Sequence, residues 1–176
     1  MAHFASGRIE VGTSGGQVRI RVDGRGTHLI SQPLREYCGE MMQHGYRDFV
    51  VDLTSCVYLD STFAGVLAGI SLTVRKNAGS VTLERVPPRC AELLAMLGID
   101  PLFQVVAAAP NLGPAPVVLH PLPMVARSRE AWANTVLEAH RLLAEAERSN
   151  ERRFADVIEF LGAGATGPGS DGKFRN

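Results

Sequence analysis

The strongest constraint on the fold of this chain is a short apolar run that leads directly into the start of a helix. The run Phe49-Val-Val-Asp-Leu53 is almost continuously apolar, as strands covered on both faces are. After a short loop, Asp60-Ser61-Thr62 opens a helical pattern that extends to about residue 77. A buried strand that leads into a helix favours an α/β fold in which helices pack on a partly parallel sheet.

The same alternation of strands and helices continues on both sides of this run. The predicted strands are 9–11, 18–22, 49–53, 81–86 and 103–106. The predicted helices are 31–45, with Ser31 as its N-cap, 61–77 and 89–97. The order β-β-α-β-α-β-α-β predicts an α/β fold with a mixed sheet flanked by helices.

Composition divides the rest of the chain into three further parts. Five prolines between 110 and 123 predict a stiff linker or a strap across the surface, over 110–128. Helical periodicity returns over 129–161, with a break expected near Ser149 and Asn150. Glycine and small polar residues predict a flexible tail over 162–176. The main domain is therefore expected within 1–109.

Charge and chemistry exclude several classes of function. The 18 basic and 18 acidic side chains cancel, so nothing directs the chain toward nucleic acid. No apolar run approaches the roughly 20 residues that span a bilayer, and no signal sequence is present, so we expect a cytoplasmic protein without direct membrane insertion. The three cysteines and five histidines are scattered and form no ligand pattern. We therefore expect no metal, no cofactor and no enzymatic activity.

Three segments in the order of these elements resemble a STAS domain over residues 8–108. The first is Asp60-Ser-Thr-Phe-Ala-Gly65, which is similar to the family's Asp-Ser-Ser/Thr-Gly-Leu-Gly. The others are 75–83, where a helix meets the next strand, and 89–100, the third helix and its following turn. STAS is the fold of bacterial anti-sigma-factor antagonists and also occurs in sulfate transporters.

The resemblance implies a regulatory protein that switches partners. In the antagonists, a GHKL-type serine kinase that is also the anti-sigma factor phosphorylates the serine after the aspartate. That position is Ser61 in this chain, with Thr62 as a second candidate. The unphosphorylated form binds the anti-sigma factor, phosphorylation releases it, and a PP2C-type phosphatase restores binding.

The partner surface implied by the resemblance combines the helix start with the loop before the first helix. Its residues are Asp60, Ser61, Thr62, Phe63, Ala64, Gly65, Arg25 and Thr27. The loop Gly24-Arg-Gly-Thr27 lacks the acidic residues that the family usually carries there. Alternatively, Ser61 only caps its helix. Phe63 is a partner anchor if exposed and core if buried.

Small residues in the second helix predict a close approach, either to the sheet or to a docked protein. They are Ala64, Gly65, Ala68 and Gly69. The 129–161 helix allows two arrangements as well. In one arrangement the helix folds back on the main domain and Trp132 covers an edge of it. In the other, the apolar stripe of the helix packs against a second copy in a homo-oligomer. The spacing of the stripe residues from Trp132 to Ala146, which is 4, 3, 4, 3, favours the homo-oligomer.

Two further functions agree with the same residues. One is a STAS subunit of a membrane transport assembly of the lipid-transport ABC type, in which the helix start docks on the transporter. The other is a scaffold that binds proteins without phosphorylation.

Overall fold

The computed structural model describes residues 7–107, 117–125 and 128–164. Parts of the predicted linker 110–128, and the predicted flexible tail beyond residue 164, lie outside the described residues. In the part that is described, no helix is both long and apolar enough to cross a membrane.

Seven strands and five helices make up the described residues. The strands are β1 Arg8–Ser14, β2 Gln17–Gly26, β3 Asp48–Asp52, β4 Cys56–Leu59, β5 Ser80–Glu84, β6 Gln104–Val106 and β7 His120–Pro121. The helices are α1 His28–Gln43, α2 Ser61–Arg75, α3 Pro88–Met96, α4 Arg129–Ala146 and α5 Arg148–Gly164. A 3₁₀ turn, Asp100–Leu102, joins α3 to β6.

The sheet is mixed, as predicted, with the strand order β6-β5-β3-β2-β1-β7. β2, β3, β5 and β6 run parallel, whereas β1 pairs antiparallel with β2 and with β7. β4 pairs only with the last residues of β2. The parallel strands require crossovers, and α1, α2 and α3 supply them.

The two faces of the sheet differ in chemistry because side chains alternate along each strand. On one face, Ile20, Val51 and Leu83 stand in register and belong to the same core as Phe63 and Leu67 of α2. On the other face the registered residues Arg21, Asp52 and Glu84 form ion pairs among themselves and with neighbouring arginines. Within the described ranges, the helices therefore pack on the apolar face of the sheet.

Several predicted boundaries are wrong for identifiable reasons. α1 begins at His28 rather than near residue 31, and Thr27 occupies its N-cap position. Ser31 lies inside the helix, where its hydroxyl donates to the Thr27 carbonyl at 2.9 Å. The interruption between the last two helices falls at Glu147, before the predicted Ser149-Asn150 position.

The last two helices, α4 and α5, fold back onto the domain as a helical hairpin, here called the C-terminal hairpin. The apolar stripe of α4 is buried against α2, and Ala139, Leu143 and Phe154 belong to the main hydrophobic core. The structure therefore shows the fold-back alternative, in which the stripe is buried within one chain, and self-association of two copies stays a prediction. Trp132 packs edge-on against His28, with ring centroids 5.9 Å apart.

Candidate functional site

Asp60 fixes the geometry of the candidate site by joining the starts of two helices. Its Oδ1 accepts a hydrogen bond from the backbone N–H of Phe63 at 2.8 Å, which caps α2. Its Oδ2 accepts from the backbone N–H of His28 at 2.8 Å, and the ring Nδ1 of His28 lies 3.2 Å from the same oxygen. The aspartate thus holds the first turn of α1 beside the first turn of α2.

Ser61 is the first residue of α2 and does not cap it, so the interpretation of this serine as a cap alone is wrong. Its Oγ lies 3.0 Å from Nε2 of His140, in the middle of α4. The other ring nitrogen of His140, Nδ1, lies 2.8 Å from the carbonyl oxygen of Val136. The serine is partly exposed, so its hydroxyl lies at the rim of the contact between α2 and α4.

The two helices approach each other closely at this contact. Gly65 faces α4, and a Cβ added to it would lie 2.7 Å from the carbonyl oxygen of Ala139. Gly69, one turn later, meets Leu142. The small residues predicted a close approach either to the sheet or to a docked protein. Gly65 and Gly69 instead approach the chain's own C-terminal hairpin. Ala64 and Ala68 instead face the core.

The interior of the site is closed by aromatic packing. His140 is only 4% exposed, and the ring of Phe154 in α5 packs against it with centroids 4.7 Å apart. Within the described residues, every buried side-chain nitrogen and oxygen has a hydrogen-bond partner. The hydroxyl of Ser61 is therefore a required partner of His140.

Four residues of the predicted partner surface lie inside the protein. Thr62, Phe63 and Ala64 are buried, and Gly65 is covered by α4. Phe63 is therefore core, as its buried alternative stated. These four residues do not form the exposed surface that we expected, because the helix turns them toward the sheet and the hairpin.

The remaining predicted residues lie on an exposed edge. The guanidinium of Arg25 stacks over the ring of Tyr58 at 4.2 Å, and Thr27 begins α1. Large apolar side chains are exposed beside them, notably Leu29 at 70% and Val57 at 63%. We call this surface the Ser61 edge. Its residues are Arg25, Thr27, Leu29, Val57, Tyr58, Asp60, Ser61 and Trp132. Exposed apolar side chains grouped in this way are typical of protein-binding surfaces.

Sequence reasoning missed the two histidines that complete the site. His140 directly follows Ala139 of the apolar stripe and lies one turn after Val136, so its helical position indicated burial, but nothing in the sequence indicated Ser61 as its partner. His28 lies between the predicted loop 24–27 and the predicted helix start near residue 31, so it was given no role. In the described ranges, no three histidine, cysteine or acidic side chains are grouped as a metal site.

Comparisons with known proteins agree with the α/β fold of the sheet and its flanking helices. The family model described as "Mlab, STAS domain" matches residues 9–106. No curated protein matches the sequence closely enough to count as a relative.

Similar solved structures share the fold at low sequence identity. An anti-sigma factor antagonist from Mycobacterium paratuberculosis is 20% identical with a TM-score of 0.51, covering 57% of this chain and 85% of its own. The anti-sigma factor antagonist SpoIIAA in its unphosphorylated form is 17% identical with a TM-score of 0.51, covering 56% and 88%. A putative antagonist from Thermotoga maritima is 13% identical with a TM-score of 0.52, covering 55% and 84%.

These similarities establish the fold of residues 9–106, and the matched family model covers more than half of the 176-residue chain. The α4–α5 hairpin lies outside the matched region. The chain belongs to the STAS domain family.

Proposed function

We propose that this protein is an anti-sigma-factor antagonist that switches partners through phosphorylation of Ser61. In this proposal the unmodified Ser61 edge binds a GHKL-type serine kinase that is also the anti-sigma factor. Phosphorylation releases that partner, and a PP2C-type phosphatase restores binding. The protein acts by binding, in the cytoplasm, and does not itself catalyse a reaction.

The placement of Ser61 is the observation that carries this proposal. The serine begins α2 beside an exposed edge with several large apolar side chains. Asp60, not Ser61, caps the helix. Ser61 is a partly exposed residue, whereas Thr62 is only 5% exposed. Among the motif's two hydroxyl residues, Ser61 is therefore the one that an enzyme can reach.

The electrostatics of a helix start explain how a phosphate there would act. Unpaired backbone N–H groups and the helix dipole favour an anion at this position, so the domain itself tolerates the modification. The phosphate adds a charge of about −1.5 to −2 at neutral pH. It would stand next to the Asp60 carboxylate and the exposed side chains of the Ser61 edge. A partner shaped for apolar contacts and a neutral hydroxyl would then bind poorly.

Phosphate transfer tests the proposal directly. The purified chain is incubated with ATP and, one at a time, the GHKL-type kinases of its source organism, and is then analysed by intact mass spectrometry. We expect one kinase to add a single phosphoryl group, with Ser61→Ala abolishing the addition and Thr62→Ala retaining it. Ser55→Ala is the matched control, because Ser55 is an exposed serine at the same end of the sheet.

The engagement of Ser61 with His140 favours a second candidate function. A hydroxyl that already has a buried partner is suited to a permanent structural role, as a STAS subunit of a lipid-transport ABC assembly or a scaffold would require. In that case no kinase modifies the chain, and its binding to a permease or other partner is unaffected by Ser61→Ala. This combination of results would exclude the switch.

A further inference from the structure

We propose that the hydrogen bond between Ser61 and His140 is a latch, and that phosphorylation of Ser61 loosens the C-terminal hairpin from α2. The inference rests on the proposed function, because Ser61 must be the phosphoacceptor for the latch to be used. It adds a second consequence of the modification. The phosphate acts on the chain's own α4 as well as on a partner at the Ser61 edge.

The hydrogen-bond donors at the latch follow from its geometry. The carbonyl oxygen of Val136 can only accept, so Nδ1 of His140 carries the hydrogen of that 2.8 Å contact. In the neutral imidazole the lone pair then lies on Nε2, which must receive a donor. The hydroxyl of Ser61, 3.0 Å away, supplies it.

Phosphorylation removes that donor. Transfer of the γ-phosphoryl group of ATP forms a bond between Oγ of Ser61 and phosphorus, breaks the bond from phosphorus to the β–γ bridging oxygen, and releases ADP and the hydroxyl proton. The resulting ester oxygen and the phosphate dianion can only accept hydrogen bonds. Acceptors would then face acceptors at the Ser61–His140 contact.

The packing around His140 leaves the ring no other partner on its own helix. Nδ1 is already engaged, Phe154 covers one side of the ring, and the residue is almost fully buried. A buried acceptor that has lost its donor is costly unless water reaches it. Water reaches Nε2 when α4 moves away from the start of α2. Arg35 also contacts α4, through the buried Thr135 and through Glu138.

The experiment uses the full chain with phosphoserine encoded at position 61 during translation, so no kinase is needed. Two readouts follow the hairpin. Trp132 of α4 is the only tryptophan in the sequence, and its quenching by acrylamide reports access to that helix. Amide hydrogen exchange, followed by mass spectrometry, reports residues 129–146 separately from β3 and β5. We expect at least fivefold faster exchange in α4 and stronger quenching of Trp132, with the exchange of the two strands unchanged.

Two controls separate the latch from a general effect of charge. Phosphoserine at Ser55, an exposed loop position, should leave α4 unchanged. His140→Phe keeps an aromatic ring, slightly larger, against Phe154 and offers no nitrogen to pair with Ser61. In that background, phosphoserine at position 61 should change the exchange of α4 less than twofold.

The results that overturn the latch are distinct from those that overturn the switch. Unchanged or slower exchange of α4 in the phosphoserine-61 protein, or an equally large effect in the His140→Phe background, rejects the latch. Neither result bears on whether a kinase modifies Ser61. Conversely, if no kinase modifies the chain, the switch is rejected. The protein with phosphoserine encoded at position 61 can still show faster exchange in α4, which supports the latch.

Discussion

At the scale of single residues, the site divides two tasks between neighbours. Asp60 holds the architecture, because its two carboxylate oxygens cap α2 and fix the start of α1. Ser61 is then available for another role, and its hydroxyl bonds to a residue of α4. A chemical change at Ser61 therefore leaves the cap intact, which is what a reversible switch requires.

A second acidic residue, Asp52, is predicted to stabilise the fold in a pH-dependent way. Burial alone would raise the pKa of Asp52, but hydrogen bonds from Thr54 and Arg85 outweigh it and hold the pKa below its ordinary value of 3.8. A lowered folded-state pKa means that the stabilisation is complete above that value and is lost as the pH falls below it. Asp52→Asn should therefore lower the free energy of unfolding by about 1–2 kcal/mol at pH 7. Urea unfolding followed by circular dichroism measures this difference.

The difference between wild type and Asp52→Asn should shrink when the measurement is repeated near pH 3. Asp23→Asn is the matched control, because Asp23 pairs with an arginine that is 61% exposed. Surface pairs of that kind contribute about 0–1 kcal/mol. An Asp52→Asn effect of equal size at both pH values would contradict the assignment.

At the scale of elements, the contact between α2 and α4 depends on glycine at one position. A Cβ at Gly65 would meet backbone atoms of α4, whereas a Cβ at Gly69 would lie 3.4 Å from the flexible end of Leu142. Replacement of a helix-interior glycine by alanine raises the free energy of unfolding by about 1 kcal/mol where there is space for the methyl group. A methyl group forced into a packed interior lowers the free energy of unfolding by about 1–3 kcal/mol. We therefore expect Gly69→Ala to stabilise the protein and Gly65→Ala to destabilise it, measured by chemical denaturation.

The pair of glycine variants provides its own control, since both change the same helix by one methyl group. Gly65→Ala should also make Trp132 more accessible to acrylamide, because α4 must shift to admit the methyl group. If the two variants were equally stable, the close contact at Gly65 would not limit the packing of the hairpin.

The same elements show how far sequence reasoning reaches. The parallel strands and α2 were predicted because their patterns are local: a buried apolar strand, an Asp-Ser-Thr helix start and a helical stripe, although the cap was expected at Ser61 and not at Asp60. β4 was missed because Cys56-Val-Tyr-Leu59 is short and pairs with the distant end of β2. The Ser61–His140 contact was missed because it joins residues 79 positions apart, and their meeting is decided by the packing of α4 on α2.

At the scale of the whole molecule, the C-terminal hairpin and the STAS domain share one core. Leu143 and Phe154 of the hairpin are buried in the same cluster as the sheet residues. Asn150 strengthens the connection, because its side-chain amide donates to the carbonyl oxygens of Leu97 at 2.9 Å and Leu143 at 2.8 Å. The end of α3 and the end of α4 are thus joined through one fully buried residue.

This continuity predicts that the unmodified chain unfolds as one unit, and that Asn150→Ala separates the hairpin from it. In wild type, the urea transitions followed by Trp132 fluorescence and by far-ultraviolet circular dichroism should coincide. Asn150→Ala leaves two buried carbonyls without their donor, at a cost of about 2–4 kcal/mol, so the Trp132 transition should move to lower urea than the main transition. Ser149→Ala, at the exposed neighbouring position, is the control, and its fluorescence and circular dichroism transitions should coincide as in wild type. Coincident curves in Asn150→Ala would mean that the hairpin cannot detach from the domain without unfolding it, and the movement required by the latch would then need another hinge.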